Sequence, residues 1–161
     1  MYTKKNRKII HIFCEGVSEK NYFEALKGNK LVSDFYVLKP NSKQNDLARA
    51  IQKSKRLDGV DIIIIYVYDS DTFKHQKKIT DIFKKHKDSI YFSEESFEDF
   101  LSCHITKSAY RNKKPNLSRQ LVEEIRDLSL NSIKKCLKKP SKFNDFKSIY
   151  DLLLELFEKK L

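Results

Sequence analysis

Between Val60 and Ser70 the chain reads Asp-Ile-Ile-Ile-Ile-Tyr-Val-Tyr-Asp, and the seven residues Ile62–Tyr68 form its longest unbroken apolar run. The run falls well short of the roughly 18–20 residues that a membrane-spanning helix requires. It has the length of a buried strand, and four isoleucines and a valine favour that conformation. A strand with one wet face alternates apolar with polar residues. This one does not, so both of its faces are covered, as in the middle of a parallel sheet flanked by helices. The chain must therefore supply neighbouring strands and two helical layers.

Candidates for all of these are legible. Lys8–Cys14 (KIIHIFC) reads as a strand stopped at Glu15-Gly16, and Ser18–Lys27 as a helix with Tyr22, Phe23 and Leu26 on one face and Gly28 closing it. Asp34–Leu38 is a second strand, ended by Pro40-Asn41-Ser42, and Asp46–Lys55 a helix carrying Leu47, Ala50, Ile51 and Ser54 at helical spacing. After the hydrophobic strand, Thr72–Lys87 reads as a polar helix with a thin stripe at Ile79, Ile82 and Phe83. Ser89–Phe92 is a fourth short strand, and Ser96-Phe97-Glu98-Asp99 a capping box opening a helix to about Thr106. Strands alternating with helices predict a doubly wound, three-layer α/β fold on a mainly parallel, four-stranded sheet.

The remainder is different. A basic loop, Arg111–Asn116, leads into segments that read only as helices: Ser118–Leu130, Ile133–Lys138 and Asn144–Lys160. The last carries Phe146, Ile149, Tyr150, Leu153 and Phe157 on one stripe, which needs a covering surface, either the sheet or a partner. The expected organisation is an α/β core over 1–108 and a helical extension over 109–161, packed together as one unit; 161 residues suit a single domain.

The charge balance narrows the chemistry. Thirty-three basic residues against 22 acidic give a formal charge of +11, a field that favours polyanions, nucleic acid first. Only six of the basic residues are Arg, so a simple lysine-rich composition competes with that reading. The basic N-terminal stretch runs into a strand and Glu15 and does not read as a signal peptide. Cys14, Cys103 and Cys136 are scattered without a C-x-x-C pair, which suits a reducing cytoplasm and predicts neither disulfide nor zinc. With three glycines in the chain, neither a Walker loop nor a dinucleotide fingerprint is present.

Ligands of parallel sheets bind beyond the carboxyl ends of the strands. Glu15 follows the first strand, Asp69-Ser70-Asp71 the hydrophobic one, and Ser93-Glu94-Glu95 the fourth, with Glu98 one turn on. Carboxylates gathered in this way repel unless a cation sits between them. Asp69 and Asp71, two apart in an extended segment, project to one side. Hard oxygen donors suit Mg²⁺ or Mn²⁺. An acidic nest on a basic protein points to phosphodiester chemistry, with Lys20 and Lys74 nearest in sequence to hold a nucleic-acid backbone. The plainer alternatives are turn and cap chemistry for Asp-x-Asp, solvated faces for the lysines, and a structural role for His104.

At these residues the sequence resembles the RloB-like proteins, a branch of the TOPRIM superfamily. Cys14–Lys27 (CEGVSEKNYFEALK) is similar to their opening EG-x-[ST]-E-x-x-YF-x-x-L motif. Asp69 and Asp71 match the D-x-D, and Ser93–Ile105 (SEESFEDFLSCHI) is similar to a third block through Ser93, Phe97, Glu98, Leu101 and His104. Glu94-Glu95-Ser96 and Phe100 depart from that block. The resemblance implies a TOPRIM-like Rossmannoid fold and a Mg²⁺-dependent site. In it Glu15 is a general acid/base or a metal-facing carboxylate, Asp69 and Asp71 are the ligands, and Glu98 is a ligand or orienting group. Glu19, Ser93 and His104 would support them. It further implies a nuclease acting on RNA, including tRNA, or DNA in bacterial phage defence (abortive infection). The rival reading is a weakly catalytic binding module that docks on an ATPase or restriction complex through the C-terminal helices.

Overall fold

The computed structural model describes residues 7–69, 89–93, 97–105, 118–138 and 147–161, leaving out the side chains of Asp69, Glu98 and Lys138. The strands are β1 (Lys8–Cys14), β2 (Tyr36–Asn41), β3 (Ile62–Asp69), β4 (Ile90–Ser93) and β5 (Lys147–Ser148). They form one sheet in the order β2-β1-β3-β4-β5, and each of the four pairings is parallel. The hydrophobic strand β3 lies between β1 and β4, the central place its unbroken apolar run requires.

Helices cover both faces: α1 (Val17–Leu26), α2 (Lys30–Ser33), α3 (Gln44–Lys55), α4 (Phe97–His104), α5 (Arg119–Arg126), α6 (Leu130–Lys134) and α7 (Ile149–Phe157), with a 3₁₀ turn at Cys136–Lys138. Strand alternation sends Ile10, Ile12, Cys14, Ile65 and Val67 into the larger core, against Tyr22, Phe23 and Leu26 of α1 and Leu152, Leu153 and Leu156 of α7. Phe13, Tyr68, Ile90 and Phe92 face the other way and pack with Leu47 and Ile51 of α3. The predicted helix over Thr72–Lys87 lies outside the described residues.

Three features depart from the expectation. The sheet has five strands, not four. Lys147–Ser148 carries no strand pattern, and its pairing with Tyr91 and Phe92 arises from where the core sets it down. Second, β2 does not stop before Pro40 but continues to Asn41, with Pro40 opposite Ile12. It is an edge strand, where a missing N–H is tolerated because not every amide has a neighbour to bond.

Third, Cys103 on α4 and Cys136 in the 3₁₀ turn form a disulfide, with Cα atoms 5.9 Å apart and a sequence separation of 33. This corrects the expectation that the cysteines stay apart. Tertiary packing lays the two segments side by side, and sequence spacing carries no sign of it. Closing such a loop stabilises by about 3–4 kcal/mol on chain-entropy grounds. Cys136→Ser, or dithiothreitol added to the wild type, should lower the melting temperature accordingly; superimposable melts with and without reductant would refute the cross-link.

The C-terminal segments share the core of the sheet. Ser148 and Asp151 form a reciprocal capping box at the start of α7: the Asp151 amide donates to Ser148 Oγ at 3.3 Å and the Ser148 amide to Asp151 Oδ2 at 2.7 Å. Ile149, Leu152, Leu153, Leu156 and Phe157 are then buried against the sheet. So Ile149, Leu153 and Phe157 of the stripe are covered by the sheet, Tyr150 is half-buried against Phe100 and His104 of α4, and Phe146 lies outside the described residues. The Ile125 carbonyl in the last turn of α5 and the Leu128 carbonyl just beyond it each accept a hydrogen bond from the buried side-chain amide of Asn29 at 3.1 Å. Among the described residues no helix is long and apolar enough to cross a membrane.

Candidate functional site

Because β1, β3 and β4 run parallel, their carboxyl ends come out on one edge. Cys14 pairs with Val67, and the Glu15 amide donates to the Val67 carbonyl at 3.2 Å, which sets Glu15 beside the last residues of β3. Asp69 pairs in turn with Ser93 of β4. With neighbouring strands about 4.8 Å apart, Glu15, Asp69 and Ser93 come from the ends of three adjacent strands within a span of roughly 10 Å. Glu15 is exposed and Ser93 buried. The Tyr68 phenol is pushed up to about 12, first by burial, then by Tyr66 and by the charge of Glu15, which places that carboxylate near the end of β3.

Glu98 lies in the opening turn of α4, which starts four residues after Ser93. Asp71 and Lys74 lie outside the described residues, as do the side chains of Asp69 and Glu98. Among the described residues no three His, Cys, Asp or Glu side chains gather as a metal-binding group. The available donors suit a hard cation. Glu15 offers oxygen, whereas the Cys14 thiol is buried and the His11 and His104 imidazoles are engaged inside the protein.

The Glu-Gly-x-Ser-Glu motif has a physical reason here. Gly16 is the N-cap of α1, and the Glu19 carboxylate folds back into the space that a Cβ on residue 16 would occupy. Any other residue at 16 would displace Glu19, which is 8% exposed and sits in the first turn, where the helix dipole favours a carboxylate. Burial, reinforced by Glu19, pushes the Cys14 thiol far above its ordinary range, so Cys14 is core and not nucleophile. Lys20, half-buried, donates its amide to the Gly16 carbonyl and so stands one turn from Glu15.

His104 is buried between α4 and α1. Its Nε2 lies 2.8 Å from the Tyr22 hydroxyl, and its ring packs on Phe100 and Tyr150 at centroid distances of 4.8 and 5.9 Å. Nδ1 lacks a hydrogen bond of good geometry: the Phe100 carbonyl one turn back favours the charged ring electrostatically but accepts the Tyr150 hydroxyl at 2.9 Å. The Tyr22–His104 pair pins α1, which follows Glu15, to α4, which carries Glu98. Sequence reading missed this pair, although both residues lie within motif blocks.

His11, on the opposite face, bonds Ser54 Oγ through Nε2 at 2.8 Å. Burial holds both His11 and His104 down to about 4, with Lys39 adding to the effect at His11. An unfolded histidine takes up its proton near 6.5, above the folded value, so the unfolded chain binds more protons between these limits. Stability should therefore be full above pH 6.5 and fall towards pH 4, by up to about 1.4 kcal/mol per pH unit for each ring. Urea melts at pH 7 and pH 5 would measure it, and a flat response would contradict the buried neutral rings.

A family model described as RloB-like protein matches residues 10–159, from β1 to the end of α7. Among curated proteins none matches the chain.

Proposed function

We propose that this chain, which belongs to the RloB-like family, is a divalent-metal-dependent nuclease of TOPRIM type that cleaves RNA, including tRNA, or DNA in phage defence. The observation that carries this reading is the register that brings Glu15, Asp69 and Ser93 to one edge of a sheet in a protein of charge +11. Asp69 and Asp71 would hold Mg²⁺ or Mn²⁺, with Glu15 or Glu98 completing the oxygen set. When bound, such an ion neutralises a phosphate oxygen and lowers the pKa of a water molecule. Glu15, exposed beside β3, would take or return the proton, or ligate. Lys20 and Lys74 would hold the backbone of the substrate, and the buried Tyr22–His104 pair would keep α1, which follows Glu15, in register with α4, which carries Glu98.

The binding-module alternative, docking through the C-terminal helices, would be favoured by an exposed apolar stripe, and Ile149, Leu153 and Phe157 of that stripe are buried in the core. The deciding experiment is Mg²⁺- or Mn²⁺-dependent cleavage of mixed RNA and DNA, with Asp69→Asn/Asp71→Asn as matched control. Activity lost in the double variant supports the nuclease. Absence of both cleavage and metal-induced stabilisation in the wild type would sink it.

A further inference from the structure

Away from the carboxylate edge, the open side of the sheet holds a second feature. A cavity of about 250 Å³ lies along edge strand β2, lined by Arg7, Lys27, Ser33, Tyr36, Val37, Leu38 and Lys39. Three of these are cations and none is a carboxylate. Like charges drawn together disfavour one another unless an anion lies between them. Lys27 pairs with Glu24 at 2.8 Å, but both side chains are more than 40% exposed, so the pair is weak and Lys27 is readily recruited.

Arg7 supplies an independent observation. Its Nη1 donates to the Ser33 carbonyl at 3.0 Å, which fixes the guanidinium at the cavity wall. Its Nε is buried and has no acceptor among the described residues, so the cavity can be reached only by the rest of the guanidinium. A guanidinium fork with two lysines matches an anion bearing several oxygens, as a phosphate does, better than it matches a single carboxylate. The volume is below the roughly 300–1,000 Å³ of sites for drug-sized ligands, which suits a compact group.

We propose that the Arg7–Lys27–Lys39 cavity on β2 is a phosphate-binding site, distinct from the carboxylate edge. The phosphate belongs either to a nucleic-acid backbone or to a free phosphorylated small molecule. Because the site uses no metal, it is tested in EDTA, where the fate of the nuclease reading has no bearing on the result. The whole chain is titrated with inorganic phosphate, adenosine 5′-monophosphate and a short single-stranded RNA, following melting temperature and fluorescence anisotropy, with sodium chloride at matched ionic strength as control.

Phosphate should raise the wild-type melting temperature, and Lys39→Gln and Arg7→Lys should each weaken phosphate binding about tenfold. Lys39→Gln leaves the Arg7–Ser33 bond in place, so it reports on binding even if Arg7→Lys loosens the fold. If RNA affinity falls in step, the ligand is a phosphodiester backbone. If only phosphate and the mononucleotide are affected, it is a small molecule. No phosphate effect on the wild type, an equal effect of chloride, or unchanged phosphate binding by both variants overturns the proposal.

Discussion

Glu15→Gln is expected to lower divalent-dependent cleavage by about 10²–10⁴-fold, the range over which a positioned proton-transfer group acts, without unfolding the protein. The side chain is exposed and follows the end of β1, and the strand is held there by its backbone: the residue 15 amide donates to Val67 whatever side chain it carries. Substitutions at such positions usually change stability by less than about 0.5 kcal/mol. The same variant separates the two roles open to Glu15. As a general acid/base, it leaves Mn²⁺ affinity near wild type while the acid limb of the pH–rate profile disappears. As a ligand, it weakens Mn²⁺ binding in parallel with the rate. A variant that cleaves as the wild type does would remove Glu15 from the site.

Leu153→Ala should cost about 2–5 kcal/mol, because a fully buried leucine leaves a cavity that its neighbours only partly fill. Its place in the architecture makes the effect global. Leu153 lies in the same apolar cluster as Ile10 and Ile12 of β1 and Ile65 of β3, so the C-terminal helix and the central strands share one core. Denaturant unfolding of the variant should remain a single transition at lower midpoint. A separate early transition would mean instead that α7 detaches from an independently stable sheet.

What could be read beforehand follows from how local the determining forces are. Ile62–Tyr68 announced a doubly covered strand because burial on both faces leaves a mark on every residue of the run. β1 likewise appears where its β-branched pattern placed it, over Lys8–Cys14. The RloB-like resemblance, resting on short motifs, agrees with the family match over residues 10–159.

The unread parts depend on distant partners. Lys147 and Ser148 become a strand only because Tyr91 and Phe92 lie beside them, and Cys103 meets Cys136 only once α4 and the 3₁₀ turn are packed. α2 was also missed, since four residues beginning Lys-Leu are too few to show periodicity. At the site, the order of acidic residues along the chain foretold that Glu15 and Asp69 would share an edge. A structural role for His104 was the plainer reading, but its partner Tyr22 was not legible, because a histidine's spacing does not say which residue across the core it meets.

The two outer strands bear on how this sheet behaves in a crowded solution. An open row of amides and carbonyls is a template on which another chain can add itself and begin cross-β growth. Here one border, β2, carries Lys39 and Pro40 in succession, a charge and a residue with no amide hydrogen. The other, β5, ends the sheet after two residues. Sequestering a strand as apolar as β3 in the interior while blunting both borders protects the most aggregation-prone segment of the chain from its own copies.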